Sequence, residues 1–225
     1  MVTRRMAWLV GGLVLGMALL SLFFDVMGLI AYGLIVLGVW SSIAVVAVWA
    51  VAWLLQLVRV IRRRFRLGPP LVVTGMAILI GAVGILVTNV AVRPAVLSST
   101  EPAHRQLAYA FDTDQGDRYA LRFVGLNDRD QERVTLVLAL IEQGEVQTAD
   151  DKFQAAMILQ HGTEPAHYEH AYQLARDAAE AGHAESEQLW KNAYDRWMLS
   201  TGRDQVYGTQ TTVQMTLFGV SIEDK

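Results

Sequence analysis

Nineteen consecutive residues without a charge, "MAWLVGGLVLGMALLSLFF" (residues 6–24), constrain this chain more than any other feature. A helix rises about 1.5 Å per residue, so this run matches the roughly 30 Å hydrocarbon thickness of a bilayer. Two further runs follow, "GLIAYGLIVLGVWSSIAVVAVWAVAWLLQLV" (28–58) and "LVVTGMAILIGAVGILVTNVAV" (71–92). Lipid offers no hydrogen-bond partner to a backbone, so such segments are expected to be helices. The sequence therefore predicts three transmembrane helices, at about 6–24, 30–58 and 71–92, forming an anchor over 1–92. The second run exceeds what a bilayer needs, so it either tilts or begins in the turn around Asp25. A signal peptide is the rival reading of the first run, given Arg4 and Arg5. The run is too long for one, and no small-x-small cleavage site precedes the next apolar stretch.

Charge sets the expected orientation. Residues 1–92 hold one acidic residue, Asp25, against seven arginines, and five of these, Arg59, Arg62, Arg63, Arg64 and Arg66, lie between the second and third spans. Basic residues flanking a span stay in the cytoplasm. The N-terminus and this loop are both basic and two spans apart, so the two signals agree: the N-terminus is cytoplasmic and the third span delivers the remainder outside. Gly12 and Gly16, and likewise Ala77 and Gly81, are spaced for close helix contact, which leaves a homo-oligomer through the membrane helices open. No ionisable residue sits mid-span; Ser41, Ser42 and Asn89 are the notable polar positions. A pump or proton path ordinarily needs charge there, so the spans read as an anchor with the lipid bilayer as partner.

Residues 93–225 carry 21 acidic against 12 basic residues. Their acidity argues against nucleic-acid binding, which needs a basic surface to neutralise phosphates. With no cysteine in the chain, disulfides, thiol nucleophiles and zinc–thiolate sites are excluded. The pattern predicts a linker with a short helix over 93–117, with Thr100 as N-cap, and then a helical domain over 118–225. Residues 118–126 are ambiguous between helix and strand. Val134, Val137, Leu138 and Ile141 give one apolar stripe, with Leu136 and Leu140 on the other side, so this helix should be central. Thr148 caps the next helix with Asp150 and Asp151 in its first turn; Gln160 lies on its core face and needs a partner there. Alanines 171, 175, 178 and 179 then stripe one helix, and Leu189, Trp190, Ala193, Tyr194, Trp197 and Met198 the next. The short turn at Gly182 makes these an antiparallel hairpin. The last stretch, "TTVQMTLFGV", alternates as an edge strand or extended tail. The fold class expected is mainly α.

The ending "DRWMLSTGRDQVYGTQ" (195–210) is the most polar patterned segment. Asp195 lies opposite the Trp190/Trp197 stripe, beside Gln188 and Asn192. A returning tail could bring Gln205 and Tyr207 to Asp195, Arg196 and Gln160, as a polar lock or as a binding cleft. A solvated face is the third reading. His161 has the right chemistry for a general base, although the helix dipole alone favours a histidine in a last turn. His161, Glu164, His167 and His170 have metal-like spacing, but Pro165 starts a new helix between the first and the others; a solvated helix start explains them, and neither metal nor cofactor is expected. No nucleophile elbow, phosphate loop or HExxH helix occurs.

The segments "AAMILQHG" (155–162) and "DRWMLSTGRDQVYGTQ" together resemble an uncharacterised bacterial domain family, in which an AA-x-I-x-QHG helix accompanies a DR-x-L-x-x-x-G-x-x-Q-x-YGTQ ending. The leucine is displaced here, with Met198 in its place and Leu199 beside it. "DQGDR" (114–118) is similar but less specific. The likeness covers about 112–210 and none of the apolar part. It implies that Gln160, His161, Asp195, Arg196, Gln205, Tyr207, Thr209 and Gln210 form one constellation, and it brings no activity with it. The combined expectation is a bacterial inner-membrane protein whose extracytoplasmic helical domain is a binding or interaction module for a peptide, envelope component or partner protein. The alternatives are a hydrolase-like enzyme using His161 with Asp195 and Arg196, or a structural subunit of a membrane complex.

Overall fold

A computed structural model of the chain describes residues 3–57 and 68–224. The arginine cluster at 59–66, on which the expected orientation leans, lies outside the described residues. The fold is mainly helical: α1 (Thr3–Phe23), α2 (Met27–Leu57), α3 (Gly68–Val90), α4 (Ala103–Tyr119), α5 (Leu126–Glu142), α6 (Ala149–Leu159), α7 (Pro165–Glu180) and α8 (Ser186–Ser200). A two-stranded sheet of β1 (Thr211–Thr216) and β2 (Gly219–Asp224) follows. The expected extended tail is thus a hairpin.

The chain divides into two compact units. The first comprises Met1–Val92, Tyr119–Arg122 and Gln214–Val220. Two of its helices are long and apolar enough to cross a membrane, Met27–Leu55 within α2 and Pro70–Val90 within α3. In α1 the described apolar stretch, Gly11–Phe23, is shorter. Helix α3 packs on both α1 and α2. Gly81 permits the α2 contact, because a Cβ there would strike the backbone carbonyl of Ala31 and the Ile35 side chain. Gly12 and Gly16 make no such approach; open space faces both. Two of the polar positions read in the spans, Ser42 and Asn89, are hydrogen-bonded. Ser42 donates to the Gly38 carbonyl (2.8 Å) and shares a hydrogen bond with Thr74 (2.8 Å). Asn89 donates to the Leu121 carbonyl at 2.9 Å, and Arg122 donates to that of Thr88 at 3.0 Å while pairing with Asp25 at 2.8 Å.

The second unit, Arg93–Arg118, Phe123–Val213 and Ser221–Lys225, holds α4 to α8. The helix expected within 93–117 is present and longer than its pattern suggests. Helix α4 runs for 17 residues, and its inward stripe begins apolar at Leu107 and Ala110, then becomes polar at Thr113, Asp114 and Asp117. Thr100 does not cap it: its hydroxyl pairs with Ser98, and the Pro102 carbonyl accepts the first helical bonds. Residues 118–126 are neither one helix nor a strand; α4 ends at Tyr119 and a turn leads into α5.

Helix α5 buries Val134, Val137 and Leu140, and leaves Leu136, Leu138 and Ile141 partly buried. Helix α6 starts at a full capping box, in which the Thr148 hydroxyl accepts from the Asp151 amide and the Asp151 carboxylate from that of Thr148. It packs on α7, and α7 packs on α8 through wholly buried Ala171, Ala175, Ala178 and Ala193, where small side chains allow the helices close contact. Tyr172, Trp190, Tyr194 and Trp197, half-buried, form an aromatic layer over the α7–α8 hairpin, with ring centroids 5.1 to 6.3 Å apart.

Candidate functional site

After α8 the chain reverses at 201–202 and returns along it. Asp195, wholly buried, is the reason it stays there. Its carboxylate accepts from the backbone amides of Val206 (2.7 Å), Tyr207 (2.9 Å) and Thr209 (2.9 Å), and from the Thr209 hydroxyl (2.8 Å). Gly208, with φ of 64°, supplies the left-handed step that turns these amides toward one anion. Burial alone would raise the pKa of Asp195; the amides and hydroxyl of 206–209 outweigh it and hold the carboxyl below its usual range.

The two glutamines complete the fastening. Gln205 accepts from the Gln210 amide at 2.9 Å, and Gln210 donates from its side chain to the Asn192 carbonyl at 2.9 Å. Arg196 joins this layer to α6: its Nε donates to Gln210 Oε1 (3.1 Å) and its Nη1 to the Gln160 carbonyl. Tyr207 behaves differently from the expectation. Its amide reaches Asp195, but its ring stands edge-on to Trp190 (5.2 Å) and Tyr194 (5.7 Å). A ring in an aromatic layer leaves its hydroxyl outside the polar cluster. It lines a separate groove of about 500 Å³ with Tyr172, Arg176, Glu180, Glu187 and Trp190.

A cleft of about 530 Å³ opens on the other side of Arg196. Asp130, Gln160, His161, Gly162, Tyr168, Arg196, Leu199, Ser200, Gln210 and Thr211 line it. The constellation read from the sequence is therefore divided. Gln160, His161, Arg196 and Gln210 face the cleft, whereas Asp195, Gln205, Tyr207 and Thr209 hold the loop behind it. Tyr168 spends its hydroxyl proton on the Gly162 carbonyl at 2.6 Å. The histidines after Pro165 do not converge on His161: His167 accepts from the Glu164 amide at the start of α7, and His170 is exposed. Among the described residues no cluster of three or more histidine or carboxylate side chains is placed to hold a metal ion.

The carboxylate beside His161 is Asp114, 3.6 Å from its Nε2, not Asp195. Asp114 belongs to a buried charge network that sequence reasoning missed. Arg118 pairs with Asp114 (2.8 Å) and Asp130 (3.0 Å), Arg129 with Asp117 (2.8 Å), and Arg133, wholly buried, with both Asp117 and Asp130. One signal was available. Arg133 stands one turn before Val137 on the stripe that includes Leu140, so a charge was written into a core face and had to be matched there. Burial raises Asp114 to about 7, against the pull of Arg118. Burial also holds His161 well below the ordinary histidine range, and Arg118, Arg196 and Arg133 add to this by repelling a second cation. At neutral pH the imidazole is therefore uncharged.

This is a pre-formed polar cleft, backed by a saturated loop and floored by matched charges. Its chemistry is hydrogen bonding, with an uncharged imidazole at His161 lying 3.6 Å from the Asp114 carboxyl. Comparison with protein-family models, curated proteins and solved structures returns no match.

Proposed function

We propose that this chain is a multi-pass membrane protein, with α1 as a third span beside α2 and α3, whose second unit lies outside the cytoplasm and binds a ligand in the His161–Arg196 cleft. Outward-facing apolar side chains support the membrane assignment: Trp8 and Phe23 are each 78% exposed, the reverse of a water-soluble helix. The basic N-terminal residues and the arginine-rich sequence at 59–66 support a cytoplasmic placement of both. The likeness of 155–162 and 195–210 to a bacterial domain family supports treating the cleft and its backing loop as one device, and an inner membrane as its place.

The observation that carries the binding reading is the division of labour around Arg196. Every acceptor position of Asp195 is taken by the loop, while the neighbouring cleft stays open and lined by polar groups. Binding sites are commonly concave with a few fixed polar groups held by a rigid surround. A chain without cysteine makes a direct test available. Ser200→Cys, exposed at the cleft rim, should react with a membrane-impermeant maleimide on intact cells, and Arg64→Cys only after permeabilisation. The reverse pattern would overturn the orientation. A fluorophore attached to the single thiol of the Ser200→Cys variant should report saturable binding of small polar ligands, abolished by Leu199→Trp in a folded chain; a response unaffected by filling the cleft would overturn the site.

A hydrolase-like enzyme is the second reading, and the Asp114–His161 pair is what favours it. The acid–base partner of His161 in that reading is Asp114, since Asp195 is fully engaged elsewhere. Asp114→Asn should then abolish turnover of any ligand the cleft accepts while leaving its binding intact.

A further inference from the structure

Arg196 differs from every other arginine around this cleft. Arg118, Arg129 and Arg133 each lie within 3.0 Å of an aspartate, so three guanidinium groups meet Asp114, Asp117 and Asp130. Arg196 has no carboxylate partner among the described residues. Its two bonds go to neutral acceptors, Gln210 Oε1 and the Gln160 carbonyl. A guanidinium has five N–H donors in a planar fork, so its Nη2 edge remains open on the cleft wall. Burial lowers its pKa, and the nearby Arg118 adds to this. Beside it, the Gln160 side chain is 8% exposed and its amide donates only to the Met157 sulfur at 3.1 Å, a weak acceptor.

We infer that the cleft receives a carboxylate group, bound through the open edge of Arg196 and the side-chain amide of Gln160. This rests on the binding reading above and names its ligand class. A planar carboxylate matches the guanidinium fork in two parallel bonds. The geometry favours it over a phosphoryl dianion: Arg118 and Arg133 already hold Asp130, and Arg196 alone on the cleft wall has no carboxylate partner among the described residues, so a single guanidinium fork is on offer. Tyr168 takes no part as a donor, since its proton is already given to Gly162.

The test uses the full chain in detergent micelles with methyl-labelled leucine, following Leu199 on the cleft wall. The probes are N-acetyl-dialanine with a free carboxylate, the same peptide as its C-terminal amide, and inorganic phosphate. The free acid is expected to shift the Leu199 methyl signals saturably, with the amide at least about tenfold weaker, because a charge-assisted pair is lost. Arg196→Gln should erase that preference and Arg196→Lys keep part of it. Because Arg196 also ties Gln160 to Gln210, the acid–amide contrast in the unaltered chain decides if the variants do not fold. Acid and amide binding alike would overturn the carboxylate and leave the cleft as a binding site. Phosphate binding more tightly than the acid would overturn it in favour of a phosphoryl ligand. No shift with any probe would remove both readings.

Discussion

Replacing Asp195 tests whether one buried carboxylate holds the C-terminal loop on α8. Four donors converge on it at 2.7 to 2.9 Å: three backbone amides and the Thr209 hydroxyl. Hydrogen bonds to a charged group contribute about 1.5–3 kcal/mol each, but bonds that share an acceptor are not additive. Val206 and Tyr207 are exposed, so their amides regain water once the carboxylate is gone. Asp195→Ala is therefore expected to cost about 3–5 kcal/mol, well short of the simple sum. Asp195→Asn keeps the shape but turns an amide NH₂ toward N–H donors, and about 2–3 kcal/mol follows from the lost charge and one mismatched pair.

The assay is urea unfolding of the full chain in mild detergent, read by near-ultraviolet circular dichroism. That signal is apt because Tyr207 rides on the same loop and packs edge-on against Trp190 and Tyr194. The pH dependence has a defined sign. The folded pKa of Asp195 is depressed, so its contribution is present above the unfolded value, about 3.9, and is lost as pH falls through the folded value. If both variants fall within about 0.5 kcal/mol of the parent, the range of ordinary surface substitutions, and the aromatic signal is unchanged, the loop is not held by Asp195.

Other perturbations give equally distinct outcomes. Asp114 has the opposite sign: its folded pKa is raised from 3.8 to about 7, so its contribution is full below about pH 4 and declines as pH rises toward 7. A pH series of unfolding midpoints should show that decline, and Asp114→Asn should flatten it. Arg133→Ala removes one of two guanidinium partners from each of Asp117 and Asp130, which keep Arg129 and Arg118, and should cost about 2–3 kcal/mol in the same urea assay, less than breaking an isolated buried pair. Tyr207→Phe should be neutral within about 0.5 kcal/mol, since only the ring and the backbone amide are used, whereas Tyr207→Ala should lose about 1–2 kcal/mol of ring packing.

Whatever depends on local composition and period could be read from the sequence directly. Apolar runs free of charge specify helices because a backbone out of water has only its own segment to bond with. The i, i+3, i+4 stripes of 134–141, 168–179 and 189–198 specify amphipathic helices, and Thr148 with Asp151 specifies where one begins. Even the polar ending was legible as a unit, because Asp195, Gln205 and Thr209 are of no use to a helix core unless something returns to meet them.

Tertiary structure decided the rest, since pairing between residues far apart in the chain leaves no local trace. Helical wheels place Asp195 on an outer face; the returning loop makes it the most enclosed carboxylate of α8. Tyr207 looked like a member of a polar cluster, yet its ring belongs to the aromatic layer, because Gly208 sends amides one way and leaves the side chain the other. The carboxylate nearest His161 is Asp114, 47 positions earlier, in a stretch whose pattern left helix and strand both open. The decisive contrast is between four arginines that look alike in sequence. Three are matched by carboxylates brought from other turns and helices, and among the described residues Arg196 is not, because whether a charge is neutralised depends on what folding sets beside it.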